Sequence, residues 1–211
     1  MRRHRNVVRT AILPFVLVVL AGAVGTPERA DASVTGGCSD VLEQPFLRWL
    51  DPAHYTLAPD GGLEARGSGW TLRGGATVVA GNEPWFVRST ADDHSLSLPP
   101  GSSATTPTMC VGLEHPTLRL FVANGGSPLS TLKVEVLFPG VLGVLQSVRI
   151  GSVPAGRAWQ PTAPLLVLVN ATALPVVAGG TTQVAFRFTP QGGSSGAWSV
   201  DDVYVDPFKG T

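Results

Sequence analysis

Polar and apolar residues alternate with period two in several short runs, and each run is closed by glycine or proline. Leu132, Val134, Val136 and Phe138 are interleaved with Lys133, Glu135 and Leu137. Val184, Phe186 and Phe188 are interleaved in the same way with Gln183, Ala185 and Arg187. His94–Leu98 and Leu118, Leu120, Val122 repeat the pattern. In a strand successive side chains point to opposite faces, so this period predicts half-buried β-strands. Thr77–Ala80, Trp85–Arg88, Leu165–Val169 and Trp198–Val205 are further short strand candidates, rich in β-branched and aromatic residues. Between the runs fall Pro59-Asp60-Gly61-Gly62, Gly74-Gly75, Gly81-Asn82, Asn124-Gly125-Gly126, Gly179-Gly180 and Gly192-Gly193, all turn sequences. Many short strands with such punctuation predict an all-β antiparallel sandwich or barrel. The Lys133/Glu135 and Gln183/Arg187 positions predict that the sheets these runs join are wet on one side.

Nothing in the chain competes with that reading. Glycine and proline, 25 and 18 of 211 residues, break helical bundles and coiled coils. Val141–Ile150 could form a short helix, but its valines and Gly143 favour a strand or loop, and Pro154–Pro164 is the best candidate for a long crossover loop. Fifteen basic residues balance fifteen acidic ones, so the basic surplus of a nucleic-acid binder is missing. The length predicts one domain plus a processed segment.

That segment is the N-terminus. Arg2, Arg3, Arg5 and Arg9 precede an apolar stretch from Ala11 to Gly25, and Ala30-Asp31-Ala32 follows. This order predicts a secretory signal peptide over residues 1–32, cleaved after Ala32. The apolar stretch is shorter than the roughly 20 residues of a bilayer span and contains Pro14. A retained N-terminal anchor is the alternative reading. The exported part, 33–211, then carries ten Lys and Arg against thirteen Asp and Glu, net −3. It holds no further membrane span: Pro164–Ala178 is interrupted by Asn170, Thr172 and Pro175. Cys38 and Cys110, the two cysteines, predict one disulfide in an exported chain. Free thiols or a metal pair are the competing reading. The loop closed would hold about 70 residues, worth on the order of 4 kcal/mol in the chain-entropy model.

Chemistry-bearing residues are sparse. Gly192-Gly193-Ser194-Ser195-Gly196 has the form G-x-S-x-G, but a strand follows at once where a nucleophile elbow needs a helix. Asp92-Asp93-His94 reads as a turn, and no histidine pair has metal spacing. Asn170-Ala171-Thr172 is a formal glycosylation acceptor. Arg66, Arg73, Arg88 and Arg119 read as solvated strand positions. Of the five tryptophans, Trp70 and Trp198 read as core. Trp85, beside Pro84, and Trp159, in a loop, are the candidates to stack on a sugar ring.

The closing run Trp198-Ser199-Val200-Asp201-Asp202-Val203-Tyr204-Val205 resembles the last strand of galactose-binding-like jelly rolls, many of them carbohydrate-binding modules. The order of Gly69–Ala76, Ser95–Ser102 and Leu118–Val122 is similar to theirs too. Residues 38–208 also resemble a set of uncharacterised secreted actinobacterial proteins, through Gly81-Asn82-Glu83-Pro84, Thr108–Gly112 and Asp201–Pro207. The resemblance implies a single jelly-roll sandwich. It implies a structural calcium bound by Asp201, with Glu43 or Asp40 as a second ligand, although two acids fall short of the six to eight oxygens calcium takes. The expectation is a secreted, non-catalytic binding module for an extracellular or cell-wall glycan. A structural or protein-interaction domain at the cell surface is the contrasting reading.

Overall fold

The computed structural model describes residues 41–111, 117–140, 144–167, 182–193 and 195–206, with the side chain of Cys110 excepted. The leader reading over 1–32, Asp40, the Cys38–Cys110 pairing, Ser194 and Asn170–Thr172 lie outside them.

Strands β1 (Thr56–Leu57), β2 (Thr71–Arg73), β3 (Thr77–Ala80), β4 (His94–Leu98), β5 (Ser103–Thr105) and β6 (Met109–Val111) make up the first half of the chain. The second half contributes β7 (Thr117–Asn124), β8 (Thr131–Pro139), β9 (Leu145–Pro154), β10 (Gln160–Pro161), β11 (Leu165–Leu166), β12 (Thr182–Gln191) and β13 (Trp198–Asp206). A seven-stranded sheet runs β10-β7-β13-β4-β3, with β1 on β13 and β11 on β7. A six-stranded sheet runs β2-β5-β12-β8-β9, with β6 on β12. The pairings are antiparallel. The all-β sandwich predicted from the alternation is therefore the observed architecture. Among the described residues no helix is long and apolar enough to cross a membrane.

The alternation decides which side chains meet between the sheets. On β8, Leu132, Val134, Val136 and Phe138 turn inward; on β12, Val184, Phe186 and Phe188 do. Leu118, Leu120, Val122, Trp198 and Val200 meet them from the seven-stranded sheet. Trp70 and Trp198 are core, as their sequence context predicts, and the Trp198 indole N–H donates to Ser130 Oγ at 2.8 Å. A buried indole needs such a partner.

Three expectations change. Trp85–Arg88 is a turn, not a strand. The Glu83 carboxylate accepts the N–H groups of Trp85 at 2.6 Å and Val87 at 2.7 Å, and Phe86 has φ of 50°, outside the extended range of a regular strand. Pro154–Pro164 is not a plain loop, because Gln160–Pro161 pairs with β7. Arg119 is not solvated: it is 7% exposed, because β7 is buried on both faces. The segment 41–57 covers the outer face of the seven-stranded sheet there, and Phe46, Tyr55, Phe121 and Tyr204 form a second, aromatic core. Arg119 lies over the Phe46 ring at 4.0 Å, donates from Nε to the Thr162 carbonyl at 2.9 Å and pairs with Asp51. Arg88 too is partly buried, in a two-point ion pair with Asp92.

Candidate functional site

Two surfaces hold the polar chemistry, one on each sheet. The first is the covered outer face of the seven-stranded sheet. Strand β13 takes three steps from Asp201 to Tyr204 where β7 takes two from Phe121 to Arg119, which makes a bulge. Asp202 is the extra residue and sits in the left-handed region at φ 45°. Alternation would have turned one of the two acids outward; the bulge buries both, to 0% and 1% exposure. Asp201 is satisfied by the N–H groups of Glu83 at 3.1 Å and Asp202 at 2.8 Å. Glu43 accepts the Tyr204 hydroxyl at 2.6 Å. Asp202 is different: neither of its oxygens has a hydrogen-bond partner among the described residues. Burial, and then the neighbouring acid charge, push both carboxyls above the usual carboxylate range. That charge is Asp202 for Asp201, and Glu83 for Asp202 against the opposing pull of Arg88.

This places the acids expected to hold calcium. Asp201 and Glu43 share the face, but their oxygens already accept hydrogen bonds; the bare oxygens belong to Asp202, which sequence reasoning passed over. A buried pair of unpartnered carboxylate oxygens among further acids is a hard-oxygen donor set that suits calcium. Elsewhere, Glu64, Asp93 and His94 bring three ligand atoms within 4.8 Å of one another. His94 Nδ1 is 3.1 Å from Glu64 Oε2 and in contact with Asp93, and the Glu64 carboxylate accepts the N–H groups of Asp93 and His94. Those bonds outweigh burial and hold the Glu64 carboxyl below its ordinary value. They tie the start of β4 to the turn at Glu64.

The aromatic candidates belong to this face as well. Trp85 and Trp159 are half-buried against the second core. Trp85 packs edge-on to Trp49 at 4.9 Å and lies 5.7 Å from Phe121. The structure brings both onto one aromatic layer, on the opposite sheet from the open groove described next.

The second surface is the outer face of the six-stranded sheet. A groove of about 620 Å³ crosses it. Residues directly opposite in a ladder share a face, so the register fixes what stands in line. One row reads Thr71, Thr105, Arg187, Glu135, Arg149, across β2, β5, β12, β8 and β9. Beside it Arg73 pairs with Ser103, and Thr189 with Lys133. Five strands spaced about 4.8 Å apart make the row roughly 19 Å long. Lys133 Nζ lies 2.9 Å from Glu135 Oε2. Arg73 and Arg187 make no ion pair among the described residues; Arg187 Nε reaches only the Thr105 hydroxyl, at 3.4 Å. Leu137 and Leu145 add apolar surface at one end, and none of the described lining residues is aromatic. Arg73 was read from sequence as a solvated strand position, and it is one. Its membership of a groove shows only once strands far apart in sequence are paired.

The two antiparallel sheets form a jelly-roll β-sandwich. Among solved structures, the tandem CBM22-1–CBM22-2 domain of Paenibacillus barcinonensis Xyn10C is similar, with a TM-score of 0.50, 14% identity, 75% of this chain and 46% of that chain covered. The single CBM22-1 xylan-binding domain of the same protein gives a TM-score of 0.46 at 15% identity, over 68% of this chain and 88% of that chain. TmCBM61 in complex with β-1,4-galactotriose gives 0.39 at 15% identity, over 72% and 97%. The likeness is one of fold. No protein-family model and no curated protein matches the sequence.

Proposed function

We propose that this chain is a secreted, non-catalytic glycan-binding module, and that the groove over the six-stranded sheet is its binding site. The observation that supports it is the groove itself: an open trough across five strands, floored by hydroxyl and charged side chains that no described residue covers. Solved structures of similar fold are named for xylan or galactotriose binding, which agrees with this reading. Among the described residues the groove lining offers a single carboxylate, Glu135, already paired with Lys133, where glycoside hydrolysis uses two opposed carboxylates. Export by the leader 1–32, the Cys38–Cys110 disulfide and a structural calcium held by Asp202 with Asp201 and Glu43 complete the proposal. When bound, calcium would supply positive charge to the acids under β13 and fix the bulge there.

The test is retention of the purified chain on a panel of insoluble neutral and acidic polysaccharides, with calcium and with chelator. Retention that is weakened by substitutions in the groove, and unaffected by Trp85→Ala, supports the reading. No retention on any polymer overturns it. The weight then moves to a protein partner, for which Val144, Leu145 and Val148, exposed on the edge strand β9 and just before it, are the apolar surface.

A further inference from the structure

We infer that the groove takes a polysaccharide carrying uronic-acid carboxylates, bound across the strands by Arg73, Arg187 and Lys133. This rests on the glycan-binding reading above and names the class of glycan.

The inference comes from what lines the groove and what does not. A neutral sugar ring is held chiefly by an aromatic face that takes its C–H surface, with polar groups fixing the hydroxyls. The described lining residues hold no aromatic ring, and the tryptophans described above either pack in the core or lie on the other sheet. Three cations stand in the groove against one acid. Glu135 pairs with Lys133 at 2.9 Å and stands opposite Arg187, so this one acid leaves the groove with a surplus of positive charge, and neither Arg73 nor Arg187 makes an ion pair among the described residues. A guanidinium presents a planar fork of donors that matches a carboxylate in two-point fashion, and it is more weakly hydrated than an ammonium.

Placement adds to composition. Arg73 is on β2 and Arg187 on β12, two strands apart, or about 10 Å across the sheet. Lys133 follows on β8, and Arg149 stands opposite Glu135 on β9. The positive charges are therefore spread across the strands over two adjacent rows rather than at one point. A polymer lying across the strands with a carboxylate on each sugar meets them in sequence. Thr71, Ser103, Thr105 and Thr189 stand between them with hydroxyls for the ring oxygens and hydroxyl groups. Leu137 and Leu145 provide the apolar contact for a C–H face at one end.

The experiment uses affinity electrophoresis with two soluble polymers of the same backbone. One is polygalacturonate; the other is the same polymer with its carboxylates chemically reduced to primary alcohols. Dextran sulfate serves as a polyanion without uronate. Wild type is expected to bind polygalacturonate at least about tenfold more tightly than the reduced polymer and than dextran sulfate. Binding is expected to weaken as salt rises from about 0.05 to about 0.5 M, because exposed charges are screened over a Debye length. Arg187→Gln and Arg73→Gln are each expected to lose about tenfold or more. Arg187→Lys is expected to recover only part, since the ammonium keeps the charge and loses the fork. Both arginines are solvent-accessible, and melting temperatures of the variants within about 2 °C of wild type exclude misfolding as the cause. Equal binding of the native and reduced polymers overturns the inference and leaves the glycan reading standing. Equal binding of dextran sulfate overturns it as non-specific charge attraction. Binding of none of the polymers, including neutral ones, overturns both readings.

Discussion

Replacing Asp202 by asparagine should stabilise the calcium-free protein. Asp202 is 1% exposed, both of its oxygens lack hydrogen-bond partners among the described residues, and it lies beside buried Asp201 and Glu83. Arg88 is close enough to exert an attraction, but its Nε and Nη2 donate to Asp92. A buried unsatisfied acceptor costs about 1–3 kcal/mol, and more when it is charged. Asparagine removes the charge, keeps the shape and brings two donors to surrounding carboxylates. It is also among the residues that best tolerate a left-handed φ, so the 45° at this position is kept without new strain. The gain worked from these terms is about 1–3 kcal/mol. For a chain of this size each kcal/mol moves the melting temperature by roughly 2–4 °C, so a rise of about 2–12 °C is expected in chelator. Calcium should reverse the ranking. A ligand at about 100 times its Kd stabilises the folded form by about 2.7 kcal/mol, and the wild type should gain this while Asp202→Asn should not. The assay is thermal unfolding followed by near-ultraviolet circular dichroism, in chelator and in millimolar calcium. An Asp202→Asn protein that melts below wild type in chelator would refute the reasoning. It would mean that the carboxylate is satisfied in the folded protein after all.

Three further outcomes follow from other parts of the structure. Burial alone would raise the Asp51 carboxyl, but hydrogen bonds from Tyr55, the Ala53 N–H and Arg119 outweigh it and hold it below its ordinary value. The unfolded chain therefore takes up that proton first. The stabilisation is present above the ordinary carboxylate range and is lost as pH falls through the lowered value, so Asp51→Asn should flatten the rise in urea midpoint as pH climbs from below the ordinary carboxylate range to above it. Ser130→Ala should cost about 1–3 kcal/mol in urea unfolding, because it strips the Trp198 indole N–H of its partner inside the core. Reduction of the proposed Cys38–Cys110 bridge should lower stability by about 4 kcal/mol, and thiol titration of the unfolded chain should detect two thiols after reductant and none before.

The sandwich was legible wherever a strand has one wet face. On β8 and β12 the polar positions Lys133, Glu135 and Arg187 mark the outside, and the period of two is enough to place Val134 and Phe186 in the core. The same rule misplaced Arg119. An alternating polar residue is exposed only if its face of the sheet is bare, and here Phe46 and Tyr55, far earlier in the chain, cover that face. The turn at Trp85–Arg88 was misread for a related reason: its composition suits a strand, but the Glu83 side chain takes the N–H groups a neighbouring strand would have used. At Asp201-Asp202 alternation was broken by one extra residue, and no local signal announces a bulge of that kind. The groove was the least legible feature. Thr71, Thr105, Glu135, Arg149 and Arg187 share a row only through four pairings, and register is a property of the sheet, not of any one segment.

A chain with balanced charge can still present a positive groove if its acids are placed elsewhere, and that is what these two sheets do. Asp201, Asp202, Glu83, Glu43 and Asp92 lie on the far side of the core from the groove, where hydrogen bonds, Arg88 and the proposed calcium answer them locally. The seven-stranded sheet, the main core and the six-stranded sheet stand between them and Arg187. Because that interior screens poorly, the distance matters less than the local neutralisation: an acid already paired projects little field onto a remote face. Arg73 and Arg187, by contrast, make no ion pair among the described residues, although Glu135, itself 2.9 Å from Lys133, stands opposite Arg187. This arrangement makes the two surfaces independent. Asp202→Asn should change stability and the calcium response and leave retention on polygalacturonate within about twofold of wild type, since sites this far apart with no shared partners act additively. Arg187→Gln should do the reverse, and affinity electrophoresis beside thermal unfolding of the two single variants and the double variant reads both. Loss of polymer binding in Asp202→Asn would show that the bulge under β13 shapes the groove through the sandwich, and the separation argued here would fall.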